Sequence, residues 1–140
     1  MMLIGEYQHN LDAKGRVNFP AKLRENLGET FVITKGLDHS LFVYPREEWR
    51  KLEQRISELP VSKSRELQLF FFAGAAEVEP DKQGRVVIPA NLREFAGLEK
   101  EVVIVGASVR AEIWDKDKWQ ATSAGITVES VAKAMDDLGF

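Results

Sequence analysis

The chain has 140 residues, 44% hydrophobic and 29% charged, with a net charge of −3 and no cysteine. Those proportions fit one soluble globular domain, and without cysteine there is neither a disulfide framework nor a thiolate metal or redox site. No apolar run is long enough to cross a membrane, and Met1–Glu6 lacks the basic and apolar regions of a signal peptide, so a cytoplasmic protein with no membrane partner is expected.

Residues Tyr7 to Leu11 alternate and lead into Asp12-Ala-Lys-Gly15. Asp first and Gly fourth suit a type I turn with a left-handed glycine, a common hairpin connection. Arg16-Val-Asn-Phe19 is then the returning strand, with Val17 and Phe19 on one face and Arg16 and Asn18 on the other. Pro20 opens a short helix that stops at Gly28. Phe31–Thr34 and Leu41–Tyr44 read as strands around a loop containing Gly36. Arg46 to Leu59 reads as an amphipathic helix, with Trp49, Leu52, Ile56 and Leu59 as its apolar stripe and Pro60 as its end. A second helix, capped by Ser62 or Ser64, runs through Leu67, Phe70 and Phe71 to Gly74.

The chain then says the same thing again. Asp81-Lys-Gln-Gly-Arg-Val-Val-Ile-Pro-Ala-Asn-Leu-Arg-Glu94 matches Asp12–Glu25 at nine of fourteen positions, 69 residues apart. Further on the offset becomes 70: Gly36 falls on Gly106, Tyr44 on Trp114, and Trp49 on Trp119. A turn at Asp81–Gly84, a strand at Arg85–Ile88, a helix from Pro89 to Gly97 and strands at Val102–Val105 and Ala111–Trp114 follow from that match. The tail ends in a helix capped by Thr127, with Val128, Val131, Met135 and Leu138 as its stripe and Gly139 as its stop. Each repeat, about 45 residues, is small for a core of its own, so the two are expected to pack as one domain. The division is 5–47 for the first repeat, 48–75 for a helical connector, 76–119 for the second repeat and 120–140 for a helical tail.

The charge is unevenly spread. Asp12–Arg24 carries +3 and Asp81–Arg93 carries +2, leaving −8 for the rest of a chain whose net charge is −3. The repeated motif is thus a basic island in an acidic chain, the pattern of a nucleic-acid footprint. Arg16 and Arg85 follow tight turns on the outer strand face, where a guanidinium can fork onto a phosphate or a guanine edge. Each can also pair with its own Asp12 or Asp81 and pin the hairpin, and the two roles are compatible. Lys14, Lys22 and Arg24 extend the first footprint, and Lys82 and Arg93 the second. Asp12, Gly15, Asp81 and Gly84 organise the turns. The first copy, with Lys14 and Asn18 where the second has Gln83 and Val87, is expected to face nucleic acid, and the second to have a larger structural share.

Catalytic signals are missing. His9 and His39 are the two histidines and nothing places them together. There is no nucleophile elbow, P-loop or dinucleotide fingerprint, and each Asp sits where a turn wants one. No enzyme, cofactor, metal or small-molecule substrate is expected. Phe70–Phe72 reads as core or subunit interface rather than as a base-stacking patch.

The doubled Asp-x-x-Gly-Arg-x-x-x-Pro-Ala-x-Leu-Arg, with the intervening helices and Phe70-Phe-Phe-Ala-Gly74, closely resembles the MraZ family. It is similar also to the wider AbrB/SpoVT and MazE-type group, whose single units dimerise. The resemblance implies a mainly β fold, a swapped-hairpin (double-split) β-barrel built from two tandem repeats with short capping and peripheral helices. It implies a sequence-specific, DNA-binding transcriptional regulator of its own operon and of cell division and cell wall genes. It further implies a ring-like homo-oligomer on repeated promoter boxes, nucleoid-associated in the cytoplasm. The family's Asp-x-x-x-Arg motif falls on Asp12 and Arg16 and on Asp81 and Arg85. Two alternatives are a protein-interaction module like the antitoxin relatives, working through the acidic remainder and the aromatic helix, and a small barrel enzyme.

Overall fold

The computed structural model describes residues 2–139; Met1 and Phe140, at the ends of the expected termini, lie outside the described residues. The first repeat supplies β1 (Glu6–Asn10), β2 (Arg16–Asn18), α1 (Ala21–Leu27), β3 (Phe31–Lys35) and β4 (Leu41–Pro45). Two helices follow, α2 (Arg46–Ser57) and α3 (Val61–Leu67), then a π-helical turn at Gln68–Phe72. The second repeat supplies β5 (Ala76–Val78), β6 (Arg85–Val87), α4 (Ala90–Ala96), β7 (Glu101–Gly106) and β8 (Ala111–Asp115). It continues into α5 (Lys116–Ala124) and α6 (Val128–Met135), with a 3-10 turn at Asp136–Leu138. Among the described residues no helix is long and apolar enough to cross a membrane.

The strands form a six-stranded antiparallel sheet, β1-β7-β8-β4-β3-β5, and a separate two-stranded ribbon, β2-β6. The described residues form eight strands, which fits the expected β framework in part, but with six α-helices beside them the fold is mixed, and among those residues the strands do not join into one closed sheet. The expected return of Arg16–Phe19 along Tyr7–Leu11 also fails. Asp12 N–H donates to the Arg16 carbonyl (2.9 Å) and Gly15 N–H to the Asp12 carbonyl (3.0 Å), and there the local hairpin ends. Beyond the turn the two strands part: β1 pairs with β7 and β2 with β6, both in the other repeat. Strands this short make a marginal hairpin alone, and exchange lets each add to a sheet that is already packed.

The exchange is mutual, since β5 of the second repeat pairs with β3 of the first. Val17 pairs with Val86, its own repeat equivalent, and Phe42 pairs with Glu112, another equivalent pair. A pseudo-two-fold axis therefore passes through the ribbon and through the β4–β8 junction. Between the two sheets lies a core drawn from both repeats, including Val17, Phe19, Leu23, Phe31 and Ile33 with Val86, Ile88, Leu92, Ile104 and Ile113. Each is almost fully buried, and such a side chain is worth about 1.5–3 kcal/mol. The period-two assignment of Val17 and Phe19 to the inner face holds.

The periphery departs from expectation in three places. Pro60 occupies the N-cap of α3, and neither Ser62 nor Ser64 caps it; Ser64 is buried and accepts from Gln68 Nε2 (3.2 Å). The helix then widens into the π-helical turn instead of running regularly to Gly74, while Thr34 Oγ1 donates to the Phe71 carbonyl. Helix α5 was not anticipated, because Lys-Asp-Lys-Trp-Gln-Ala-Thr-Ser-Ala has little amphipathic pattern; its register was available from Trp49 falling on Trp119. It is capped by Asp115, which accepts from Lys118 N–H (3.2 Å), and its Trp119 ring lies 5.6 Å from Trp114. Thr127 does cap α6, in a reciprocal box with Ser130. The expected stripe, however, is exposed, to 81% at Val128 on α6 and 72% at Leu138 in the 3-10 turn.

Candidate nucleic-acid interface

Each turn is assembled around one carboxylate. Asp12 Oδ1 accepts from the N–H groups of Lys14 and Arg16, both at 2.9 Å. Its Oδ2 accepts from Arg16 Nε at 2.6 Å. The second turn repeats this: Asp81 Oδ1 accepts from Gln83 and Arg85 N–H at 2.9 Å, and Oδ2 from Arg85 Nε at 2.9 Å. Gly15 (φ +76°) and Gly84 (φ +81°) take the left-handed conformation that closes each turn. Donation by the Arg16 N–H holds the Asp12 carboxyl below the usual carboxylate range, against a smaller opposing effect of desolvation; Arg85 N–H does the same for Asp81. Each carboxylate stays charged and keeps its arginine in a fixed pose.

The ribbon brings the two turns onto one surface. Its register sets Arg16 opposite Val87 and Asn18 opposite Arg85. Alternation then puts these four side chains on the outer face and the buried Val17 and Val86 beneath. Arg16 and Arg85 are diagonal neighbours, with side chains 26% and 32% exposed. Of their side-chain nitrogens only Nε is bonded within the chain among the described residues. Lys14 and Lys82 are exposed in the turns and Lys22 is exposed on α1. The two Asp–Arg pairs use the same atoms, and the ends of the surface differ in their neighbours: Lys14 against Gln83, Asn18 against Val87 and Lys22 against Asn91 at the first, Lys82 against Ala13 at the second.

Arg24 and Arg93 stand apart from this set. Each is half-buried, with Nε donating to a carbonyl of its own repeat: Arg24 to Phe19 and Arg93 to Ile88, both at 2.9 Å. Each guanidinium lies against the turn glycine of the other repeat, Arg24 on Gly84 and Arg93 on Gly15. Sequence reading placed both arginines in the footprint but missed these crossed contacts. Their one signal was the recurrence of the Arg and the Gly at the same offset.

The remaining sequence candidates lie away from the ribbon, and His39 is exposed. His9 is half-buried on β1, and burial lowers its pKa. His39 Nδ1 lies 3.4 Å from the Phe95 carbonyl and its ring 5.2 Å from the Phe95 ring. Phe70, Phe71 and Phe72 are half-buried against Phe95, Phe42 and Trp49. No cluster of three His, Asp or Glu side chains able to hold a metal occurs among the described residues.

The model of the family described as "MraZ protein" matches the chain twice, over residues 2–69 and 71–138. The chain belongs to the MraZ family. Relatives named "Transcriptional regulator MraZ" match along nearly their whole length. That of Acetivibrio thermocellus is 56% identical over 143 residues, 99% of this chain and 100% of the relative. That of Heliobacterium modesticaldum is 54% identical over 140 residues, 97% and 98% of the two chains. That of Thermoanaerobacter sp. is 52% identical over 143 residues, 99% and 100%. The two matches lie 69 residues apart, the offset of the internal repeat.

Proposed function

We propose that the protein is a sequence-specific, DNA-binding transcriptional regulator that presents the outer face of the β2–β6 ribbon to duplex DNA. One observation carries this reading: two arginines, each locked by its own aspartate, lie on one exposed face of a two-stranded ribbon. A ribbon of that width enters the major groove, where arginine pairs with the O6 and N7 acceptors of guanine. Arg16 and Arg85 are the base- or phosphate-reading groups, while Lys14, Lys22 and Lys82 supply phosphate contacts. The transcriptional-regulator names of the full-length relatives support the same reading. The mutual strand exchange supports the swapped-hairpin arrangement related to a double-split barrel.

One ribbon of this size makes few contacts, so affinity must come from linkage. Identical ribbons on a ring-like homo-oligomer, engaging repeated boxes upstream of the protein's own operon, gain through effective concentration without new contacts. Cell division and cell wall genes are the proposed targets, in a cytoplasmic, nucleoid-associated setting. The test is fluorescence anisotropy of duplex DNA from immediately upstream of the gene, against a scrambled duplex, through a salt series, for wild type and Arg16→Ala. Preference for the upstream duplex that collapses in the variant supports the reading. Equal, weak binding to both duplexes overturns it in favour of a protein-interaction module.

A further inference from the structure

The crossed arginines point to a role distinct from DNA contact. Ile88 N–H donates to the Gly15 carbonyl (2.9 Å), and Arg93 Nε closes on the Ile88 carbonyl (2.9 Å). A Cβ on Gly15 would stand 2.8 Å from Arg93 Cζ and 2.9 Å from its Nε. The plane of the guanidinium is thus seated on bare backbone at the turn that Asp12 organises. The mirror arrangement holds at the other end. Phe19 N–H donates to the Gly84 carbonyl (2.9 Å), Arg24 Nε donates to the Phe19 carbonyl (2.9 Å), and a Cβ on Gly84 would stand 2.9 Å from Arg24 Cζ. Neither Arg24 nor Arg93 forms an ion pair among the described residues. The charge is held by carbonyls and by the flat face of a turn.

We infer that Arg93 is a positioning residue for the Asp12–Arg16 turn of the first repeat, and Arg24 for the Asp81–Arg85 turn of the second, so that each DNA-reading arginine is aimed by the opposite repeat. Arginine suits this task where lysine does not, because its planar fork bonds through Nε and still lies flat over a glycine. Lysine carries the same charge on a point donor and would leave the seat on the turn. The arrangement also couples the two ends of the ribbon, since each repeat completes the other's reading group. Neither repeat alone holds a finished site.

The inference rests on the DNA-binding reading for its consequence but not for its geometry, and the test separates the two. Hydrogen exchange is followed by mass spectrometry on peptides spanning 11–17 and 80–86, which leave out Phe19 and Ile88, in wild type, Arg93→Lys and Arg24→Lys, with thermal melts confirming that each variant folds. Anisotropy with the upstream duplex runs on the same preparations, Arg93→Ala and the double variants with Arg16→Ala and Arg85→Ala included. Arg93→Lys is expected to speed exchange in 11–17 about tenfold, the scale of one lost hydrogen bond, with 80–86 unchanged; Arg24→Lys is expected to reverse the pattern. In binding, Arg93→Lys should weaken affinity as much as Arg93→Ala, with the salt slope unchanged. The loss should disappear in the Arg16→Ala background and persist in Arg85→Ala. Restored affinity in Arg93→Lys, together with a slope lowered by about 0.9 in Arg93→Ala, would make Arg93 a phosphate ligand and overturn the inference. Equal deprotection of both peptides would overturn it as well. If wild type shows no preference for the upstream duplex, the DNA reading fails while the exchange pattern still decides the positioning role.

Discussion

Arg93 of the second repeat is stacked on Gly15 of the first, so closely that a single methyl group at position 15 would meet the guanidinium carbon at 2.8 Å. The same residue has φ +76°, a conformation that side-chain-bearing residues rarely adopt. Gly15→Ala therefore meets backbone strain and a steric collision at once. A loss of roughly 1–3 kcal/mol is expected, read as a lower urea midpoint at unchanged slope. Gly84→Ala, at φ +81° and 2.9 Å from Arg24 Cζ, should match it. A neutral effect at either site would mean that the turn is not seated as described.

Arg16 and Arg85 separate binding from stability. Both side chains are partly exposed, and their bonds to Asp12 and Asp81 are local, so each alanine variant should lose little stability, about 0–1 kcal/mol. If the lost contact is a phosphate, the slope of log affinity against log salt falls by about 0.9. If it is a guanine edge, affinity for the cognate duplex falls by about 1–3 kcal/mol and discrimination against the scrambled duplex falls with it. Lys14→Ala should change the slope and leave discrimination intact. Anisotropy across salt on both duplexes tells these outcomes apart.

The turn carboxylates predict an acid-side loss. The folded pKa of Asp12 and of Asp81 is depressed, so their contribution is complete above the ordinary aspartate value, about 4. It disappears as pH falls through the lower folded value. Thermal melts from pH 7 to pH 3 should converge for wild type and the Asp12→Asn/Asp81→Asn double variant at the acid end. The wild-type advantage should be widest near neutrality. A gap that stays constant with pH would remove the charged carboxylates from the account.

Much of this was legible in the chain because its signals are local. Asp12, Gly15, Pro20 and Gly28 each impose a backbone geometry within a few residues, and the turns, the short helix and the inward Val17 and Phe19 follow. Pairing partners were another matter. Asp12–Gly15 looks like an ordinary hairpin turn from the sequence alone, and only the second repeat, 69 residues away, decides that β1 leaves for β7 and β2 for β6. The seat of Arg93 on Gly15 exists only after that exchange, so both residues were visible and their relationship was not. Helix α5 was missed for the opposite reason: its local pattern is weak, and Trp119 is held by packing on Trp114 and by its Nε1–H donating to Glu6 Oε1 (2.7 Å) across the chain.

The pseudo-two-fold makes one further demand. Val17 pairs with its own equivalent Val86, so a first repeat given no second one can satisfy the same ribbon register with another copy of itself. Its β1 would need the β3 of that copy in place of β7, and its Gly15 would meet the partner's counterpart of Arg93, which is Arg24. A fragment covering residues 1–75 is therefore expected to be unfolded when dilute and to gain strand and helix signal with concentration, as a dimer whose stability depends on mass action. The intact chain should unfold in urea in a single step at a midpoint independent of concentration within one assembly state. Sedimentation and circular dichroism over a dilution series check both. A fragment that folds as a monomer would show that each repeat has a core of its own, contrary to the shared one seen between Phe19, Phe31, Ile88 and Ile104.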